Sequence, residues 1–187
     1  IEDGLPFDRV IEVEALRYLF LSNLKTKPMT VVDDGINLLV LGGHDFHSNK
    51  TQMELLISCM ELIDRKVNIL IKPHPLSLIQ ESDYPNLNFQ VTLSPLNEII
   101  SKCNVVFSSN QTAAAVDVYL SQKKVLIMKD CNTFNMSALR GFEGVNFVKT
   151  PKELAGFLSE NTNELSMLVD QDFFFLDNEL PKWRKLL

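Results

Sequence analysis

The chain has 187 residues, 45% hydrophobic and 22% charged, which is the composition of a globular domain with room for one well-filled core. A formal net charge of −6 and a pI near 5.1 weigh against a protein that grips nucleic acid through its phosphates. The three cysteines, Cys59, Cys103 and Cys131, form no CxxC pair, and the three histidines, His44, His47 and His74, lack zinc-finger spacing. This pattern predicts neither a structural metal nor a disulfide framework, and a reducing, cytoplasmic setting. No apolar run reaches the length of a membrane span, and the opening residues are not a signal peptide. A chain that starts at Ile1 is expected to be an excised piece of a longer protein.

In chain order, Val10 to Phe20 carries apolar residues at helical spacing, predicting a helix that ends near Lys25-Thr26-Lys27-Pro28. Residues 1–30 read as a joining segment, and residues 31–187 as the main domain with C-terminal returning helices. Asp33-Asp34-Gly35 predicts a turn, and Asn37 to Leu41 a strand emptying into Gly42-Gly43-His44-Asp45. A helix follows over Lys50 to Asp64, capped by Ser48 or Asn49, with Leu55, Leu56, Cys59, Leu62 and Ile63 on its inner face.

Val67 to Ile71 is a short β-branched strand, stopped by Lys72-Pro73-His74-Pro75. A weaker strand spans Asn88 to Leu93. A helix then runs from Leu96 to Lys102, with Ser94 as its cap and Pro95 in its first turn. Val105-Val106-Phe107 predicts a strand leading through Ser108-Ser109-Asn110-Gln111-Thr112 into a helix from Ala113 to Ser121. Strands follow at Lys124 to Met128 and Val145 to Val148, separated by a polar loop or short helix over Asn132 to Gly141. Thr150 with Glu153 makes a capping box. The tail, with Phe173-Phe174-Phe175 and Trp183, predicts one or two docked helices.

Strands and helices alternating in this way predict an α/β fold, a Rossmann-like doubly wound parallel sheet of about six strands with right-handed crossovers. In such a sheet all strands end on one rim, and ligands bind there. The three polar strand ends, Gly42-Gly43, Lys72-Pro73-His74 and Ser108 to Thr112, are therefore expected to converge.

His74, held between Pro73 and Pro75, is stiffly presented and suited to an anion or a departing phosphate; a histidine bonded within its own turn is the plainer alternative. Ser108, Ser109 and Thr112 precede a helix start, where amides and hydroxyls favour phosphate; simple capping explains them equally. Gly42 and Gly43 permit close backbone approach to a ligand or simply a tight turn. Asp117 is placed to hold ribose hydroxyls or to face solvent. GxGxxG, Walker A and GxSxG signatures are all missing.

The succession of strand and GG loop, strand and His74-Pro75, strand and Ser108-Ser109 with its helix, then strand and returning helix resembles the C-terminal, nucleotide-binding half of GT-B glycosyltransferases. His74-Pro75 is similar to the HP motif of bacterial sialyltransferases, polysialyltransferases and related capsule enzymes, and Ser108-Ser109 to their serine motif. Glu12 to Tyr18 and Ser137 to Gly141 also resemble bacterial surface-carbohydrate biosynthesis proteins. The resemblance implies a donor-binding domain for a nucleotide sugar, CMP-linked, with sialic acid or a related acid sugar as cargo. It implies His74 as the catalytic residue, with Gly42, Gly43, Lys72, Pro75, Ser108, Ser109, Thr112 and Asp117 around the nucleotide and no metal or other cofactor. The glycan acceptor would be held by an N-terminal half outside this chain, in a cytoplasmic protein whose place at the inner membrane, if any, is peripheral. A CDP-glycerol-type phosphotransferase half, a sugar-nucleotide epimerase half and a non-catalytic α/β interaction module remain alternatives.

Overall fold

Six strands form one sheet in the computed structural model, which describes residues 10–23, 35–131, 133–160 and 174–187, with backbone alone for 21–23. The strands are β1 (Ile36–Leu41), β2 (Val67–Lys72), β3 (Gln90–Val91), β4 (Val105–Ser108), β5 (Lys124–Met128) and β6 (Val145–Val148). Their order is β3-β2-β1-β4-β5-β6, and every neighbouring pair is parallel. The chain moves outward from β1 to β3, returns to the other side of β1, and moves outward again. That is the doubly wound Rossmann-like order, and its reversal lies between β1 and β4.

β4 and β5 are buried along their whole length, as continuous apolar strands covered on both faces should be. Ile36, Leu38 and Val40 of β1, with Ile69, Ile71, Val105 and Phe107, belong to the core cluster. Over it lie α1 (Phe46–Met60), through Met53, Leu56 and Cys59, and α4 (Pro151–Ser159), through Leu154, Ala155 and Leu158. Each such leucine contributes roughly 1.5–3 kcal/mol by leaving water. Leu39, Leu41, Val106 and Ile127 alternate to the opposite face and are equally buried. On that face α2 (Leu96–Ile99) continues as a 3-10 turn over Ile100–Lys102, and α3 (Ala114–Leu120) packs on β5.

Several local expectations shift. Asp45, not Ser48 or Asn49, caps α1: its Oδ2 accepts the Ser48 amide at 2.6 Å. The helix ends at Met60, leaving Leu62 exposed. β3 shrinks to two residues, and Ser94 gives α2 no side-chain cap. The capping box on α4 forms as read, with Thr150 Oγ1 accepting the Glu153 amide at 3.2 Å and the Glu153 carboxylate accepting the Thr150 amide at 3.3 Å. Lys124, buried at the start of β5, fixes the other end of α4 by donating to Phe157 O at 2.6 Å and Glu160 Oε2 at 2.7 Å. The Asp33-Asp34 turn lies outside the described residues.

The chain divides into two units, Lys27–Val169 and the paired terminal segments Ile1–Thr26 with Asp170–Leu187. In the smaller unit the predicted N-terminal helix is a 3-10 helix over Leu16–Asn23, while Ala15 donates its amide to Phe175 O at 3.0 Å. That long-range partner overrides the local periodicity. Its expected end at Lys25–Pro28 lies outside the described residues. The tail contributes α5 (Pro181–Leu186), whose N-cap residue Leu180 offers no side-chain acceptor. Glu14 supplies one instead: its carboxylate accepts the amides of Lys182 at 2.8 Å and Trp183 at 3.1 Å, and its carbonyl accepts Trp183 Nε1–H at 3.0 Å. Tyr18 stacks on Phe174 at 4.3 Å, and Lys182 Nζ stands 3.0 Å above the Phe175 ring.

Candidate functional site

At the reversal between β1 and β4, the segments leaving β1, β2 and β4 come together. Gly42 donates its amide to Lys72 O at 3.1 Å, and a β-carbon on Gly42 would stand 3.5 Å from the His74 amide nitrogen. A β-carbon on Gly43 would meet Ser109 Oγ at 2.6 Å and Gln111 Oε1 at 3.2 Å. Close approach to the β4 loop therefore requires glycine at position 43, whereas a β-carbon on Gly42 would make a tight contact with Asn49 Oδ1 at 3.3 Å and an ordinary one with the β2 loop. The His44 and His74 rings lie edge to face, 6.2 Å apart.

His74 is half-buried and held by its own turn as well as by its prolines. Its carbonyl accepts the Ser77 amide at 2.9 Å, and its Nδ1 accepts the Leu76 amide at 3.2 Å. A ring nitrogen that accepts an amide carries no proton, so in neutral His74 the proton is on Nε2 and that N–H is the group available to a ligand. Pro73 is buried and Pro75 exposed.

The other expected residues are drawn into the scaffold. Lys72 gives one of its three ammonium hydrogens to Ser94 O at 2.7 Å. Ser108, fully buried, donates to Ser109 O at 2.9 Å. Ser109 Oγ accepts the Gln111 amide at 3.3 Å, and Thr112 Oγ1 accepts the Ala114 amide at 3.3 Å, a turn bond from one position ahead of the N-cap residue Ala113. Asp117 sits in the first turn of α3 with 5% of its surface exposed.

Two residues that sequence reasoning missed tie these loops together. Asn49 Oδ1 accepts the Gly43 amide at 2.7 Å, and its Nδ2 donates to Gly43 O at 3.0 Å and Ser77 Oγ at 2.9 Å. One buried carboxamide thus fixes the β1 loop to the β2 loop. Gln52 Nε2 lies 3.3 Å from both Leu41 O and Phe107 O, linking the ends of β1 and β4 from below. The signal was present in the sequence: the buried stripe Cys59 and Leu56 runs back along α1 at helical spacing to Gln52 and Asn49. Polar residues continuing an apolar stripe mark a buried polar site.

The rim also carries apolar side chains. Phe46, Leu76, Leu78, Leu93, Phe134 and Met136 are all exposed, in the segments that leave β1, β2, β3 and β5. A cavity of about 410 Å³ lies at the opposite end of the sheet, lined by Asn37, Asn68, Asn88, Gln90 and Lys102 among others. It belongs to the N-terminal ends of the strands and takes no part in the convergence. Burial pushes the Cys59 thiol up to about 12 and the Cys103 thiol up to about 11, so neither is a nucleophile at neutral pH.

No protein-family model matches the chain, and no curated protein matches it. Among solved structures it is similar to MurG of Acinetobacter baumannii, a GT-B glycosyltransferase, with a TM-score of 0.52 at 15% identity. The likeness covers 71% of this chain and 43% of that one, so the chain spans less than half of the neighbour's length. What the two share is a fold, an all-parallel Rossmann-like sheet flanked by helices that matches one half of MurG.

Proposed function

We propose that the chain is the donor-nucleotide-binding domain of a GT-B-type glycosyltransferase, with the nucleotide in the crevice between the β1, β2 and β4 loops. The observation that carries this reading is the convergence of His74, Gly42-Gly43 and Ser109 at the one place where the strand order reverses. The fold shared with MurG supports it. The finer reading, from the His74-Pro75 and Ser108-Ser109 resemblance, is a CMP-linked donor sugar used in building bacterial surface polysaccharide. The protein would act in the cytoplasm; none of the helices among the described residues is long and apolar enough to cross a membrane.

In the reaction, an acceptor hydroxyl bonds to the anomeric carbon as the bond from that carbon to the nucleotide phosphate breaks. The departing phosphate takes the electron pair, and the Nε2–H of His74 donates a hydrogen bond to it. Acceptor and general base belong to a second domain, which leaves this half of the cleft as an open rim.

Calorimetric titration of the chain with CMP and UMP tests the reading. Binding of CMP that weakens roughly tenfold in His74→Ala is the expected result, the loss of one charge-assisted hydrogen bond. Failure of both nucleotides to bind removes it. A second reading, an interaction module on the same fold, is favoured by the exposed apolar residues around the rim. Capture of a protein partner that is lost in Leu76→Ser with Phe134→Ser, in a chain that binds no nucleotide, would select it.

A further inference from the structure

Three buried side-chain polar atoms lack a hydrogen-bond partner among the described residues: Gln52 Oε1, Asn110 Oδ1 and Gln111 Oε1. All are carboxamide oxygens of residues beneath or just beyond the ends of β1 and β4, and Asn110 turns its Nδ2 to Phe134 O at 3.4 Å, in the segment after β5. Gln52 bridges the ends of β1 and β4, Asn110 and Gln111 follow β4, and Gln111 Oε1 lies against Gly43. Gln52 and Asn110 are buried almost completely, with 0% and 2% exposure, whereas Gln111 is part-exposed at the mouth. Buried acceptors without donors are rare and costly in folded proteins, and these three belong to segments that meet at the one strand-order reversal.

The chemistry of the missing donors is restricted. A phosphodiester has no proton to give, and its oxygens would repel carbonyl oxygens. Ser108 has already spent its hydroxyl proton on Ser109 O. A hydroxyl, in contrast, donates to a carboxamide oxygen. Gln111 needs only a turn about its terminal torsion, a soft coordinate, to present Oε1 to the crevice.

We propose that the Asn110–Gln111 end of the crevice is a hydroxyl subsite, where the two carboxamide oxygens accept hydrogen bonds from the sugar hydroxyls of the bound nucleotide donor. This rests on the nucleotide reading above and fixes the ligand's orientation: hydroxyls inward at the β4 loop, phosphate outward at His74. The hydroxyls belong either to the ribose or to the transferred sugar.

Gln111→Met and Asn110→Leu replace the orphaned oxygens with apolar groups of similar size, and Asn110→Leu also gives up the bond to Phe134 O, so Gln111→Met is the cleaner variant. Thermal unfolding of the free chain should be unchanged or shifted upward in Gln111→Met, since an unpaired buried acceptor has been removed. Affinity by calorimetry for CMP, or for CMP-N-acetylneuraminate, should fall roughly 3- to 10-fold in each variant, the loss of one neutral hydrogen bond. A fall already present with CMP and absent with its 2′,3′-dideoxy analogue assigns the ribose; a fall seen only with the sugar-linked donor assigns the transferred sugar. CMP and CMP-N-acetylneuraminate binding as tightly to both variants as to the unmodified chain overturns the subsite and leaves the nucleotide reading standing. No binding of either ligand to the unmodified chain overturns both.

Discussion

Gly43 and Ser109, sixty-six positions apart in sequence, touch so closely that a methyl group on Gly43 would lie 2.6 Å from the Ser109 hydroxyl oxygen. The contact closes the β1 loop on the β4 loop at the strand-order reversal. Gly43→Ala should therefore destabilise the chain by about 1–3 kcal/mol, the usual consequence of overpacking. Adding Ser109→Gly should recover much of that loss, because it removes two of the three atoms the added carbon would meet and leaves Gln111 Oε1 at 3.2 Å. Chemical denaturation of the single and double variants measures the coupling; strictly additive effects would contradict the contact.

Asn49 offers a sharper test of how the loops are held. Asn49→Leu keeps the volume but removes the acceptor for Gly43 N and the donor to Gly43 O and Ser77 Oγ. The expected loss is about 2–4 kcal/mol, with three buried hydrogen bonds broken and a backbone amide left unpaired. Asn49→Asp should retain the acceptor and lose less in hydrogen bonding, yet it buries a charge, so neither variant should match the native chain in urea unfolding. A loss below the range of ordinary surface changes would show that the loops hold without it.

Thiol chemistry separates the cysteines. Cys59 and Cys103 are buried with their thiols pushed up to about 12 and about 11, while Cys131 is exposed. Dithionitrobenzoate at pH 8 should titrate one thiol in the folded chain and three after denaturation. Fast labelling of a second thiol in native conditions would contradict the burial of Cys59 on the inner face of α1 or of Cys103 ahead of β4.

Glu14 gives the smaller unit a pH dependence. Burial raises its carboxyl pKa, but the amides of Lys182 and Trp183 and the Lys182 charge outweigh burial and hold it below its ordinary value of 4.5. A depressed carboxylate contributes stability above its unfolded pKa and loses it as pH falls through the folded one. Fluorescence of Trp183, the single tryptophan, should stay native from neutrality to pH 4.5 and change only below it. In Glu14→Gln that acid transition should disappear. A midpoint above 4.5 would contradict the bonding of Glu14 to α5.

The sheet was legible because alternation and continuous apolar strands such as Val125 to Met128 leave one economical arrangement. So were the capping box of Thr150 and Glu153 and the meeting of three strand ends, which parallel topology enforces. Less legible was what each polar side chain does once there. Lys72 and Ser108 are phosphate-ligand candidates by residue type, and the structure adds that each donates to a carbonyl, Ser94 O and Ser109 O. Asn49 reads only as a helix cap and Gln52 is passed over when the inner stripe of α1 is followed through its apolar members alone. The N-terminal helix failed for a different reason: its backbone found a partner in Phe175, some 160 residues away.

The most direct measurement is a map of amide and imidazole NMR signals during titration with CMP. The account predicts that His74, Gly43, Ser109 and Gln111 shift together, at one dissociation constant, while residues around the cavity at Asn68 and Gln90 stay still. Shifts confined to that opposite cavity, or to no residue at the β1–β4 reversal, would contradict it.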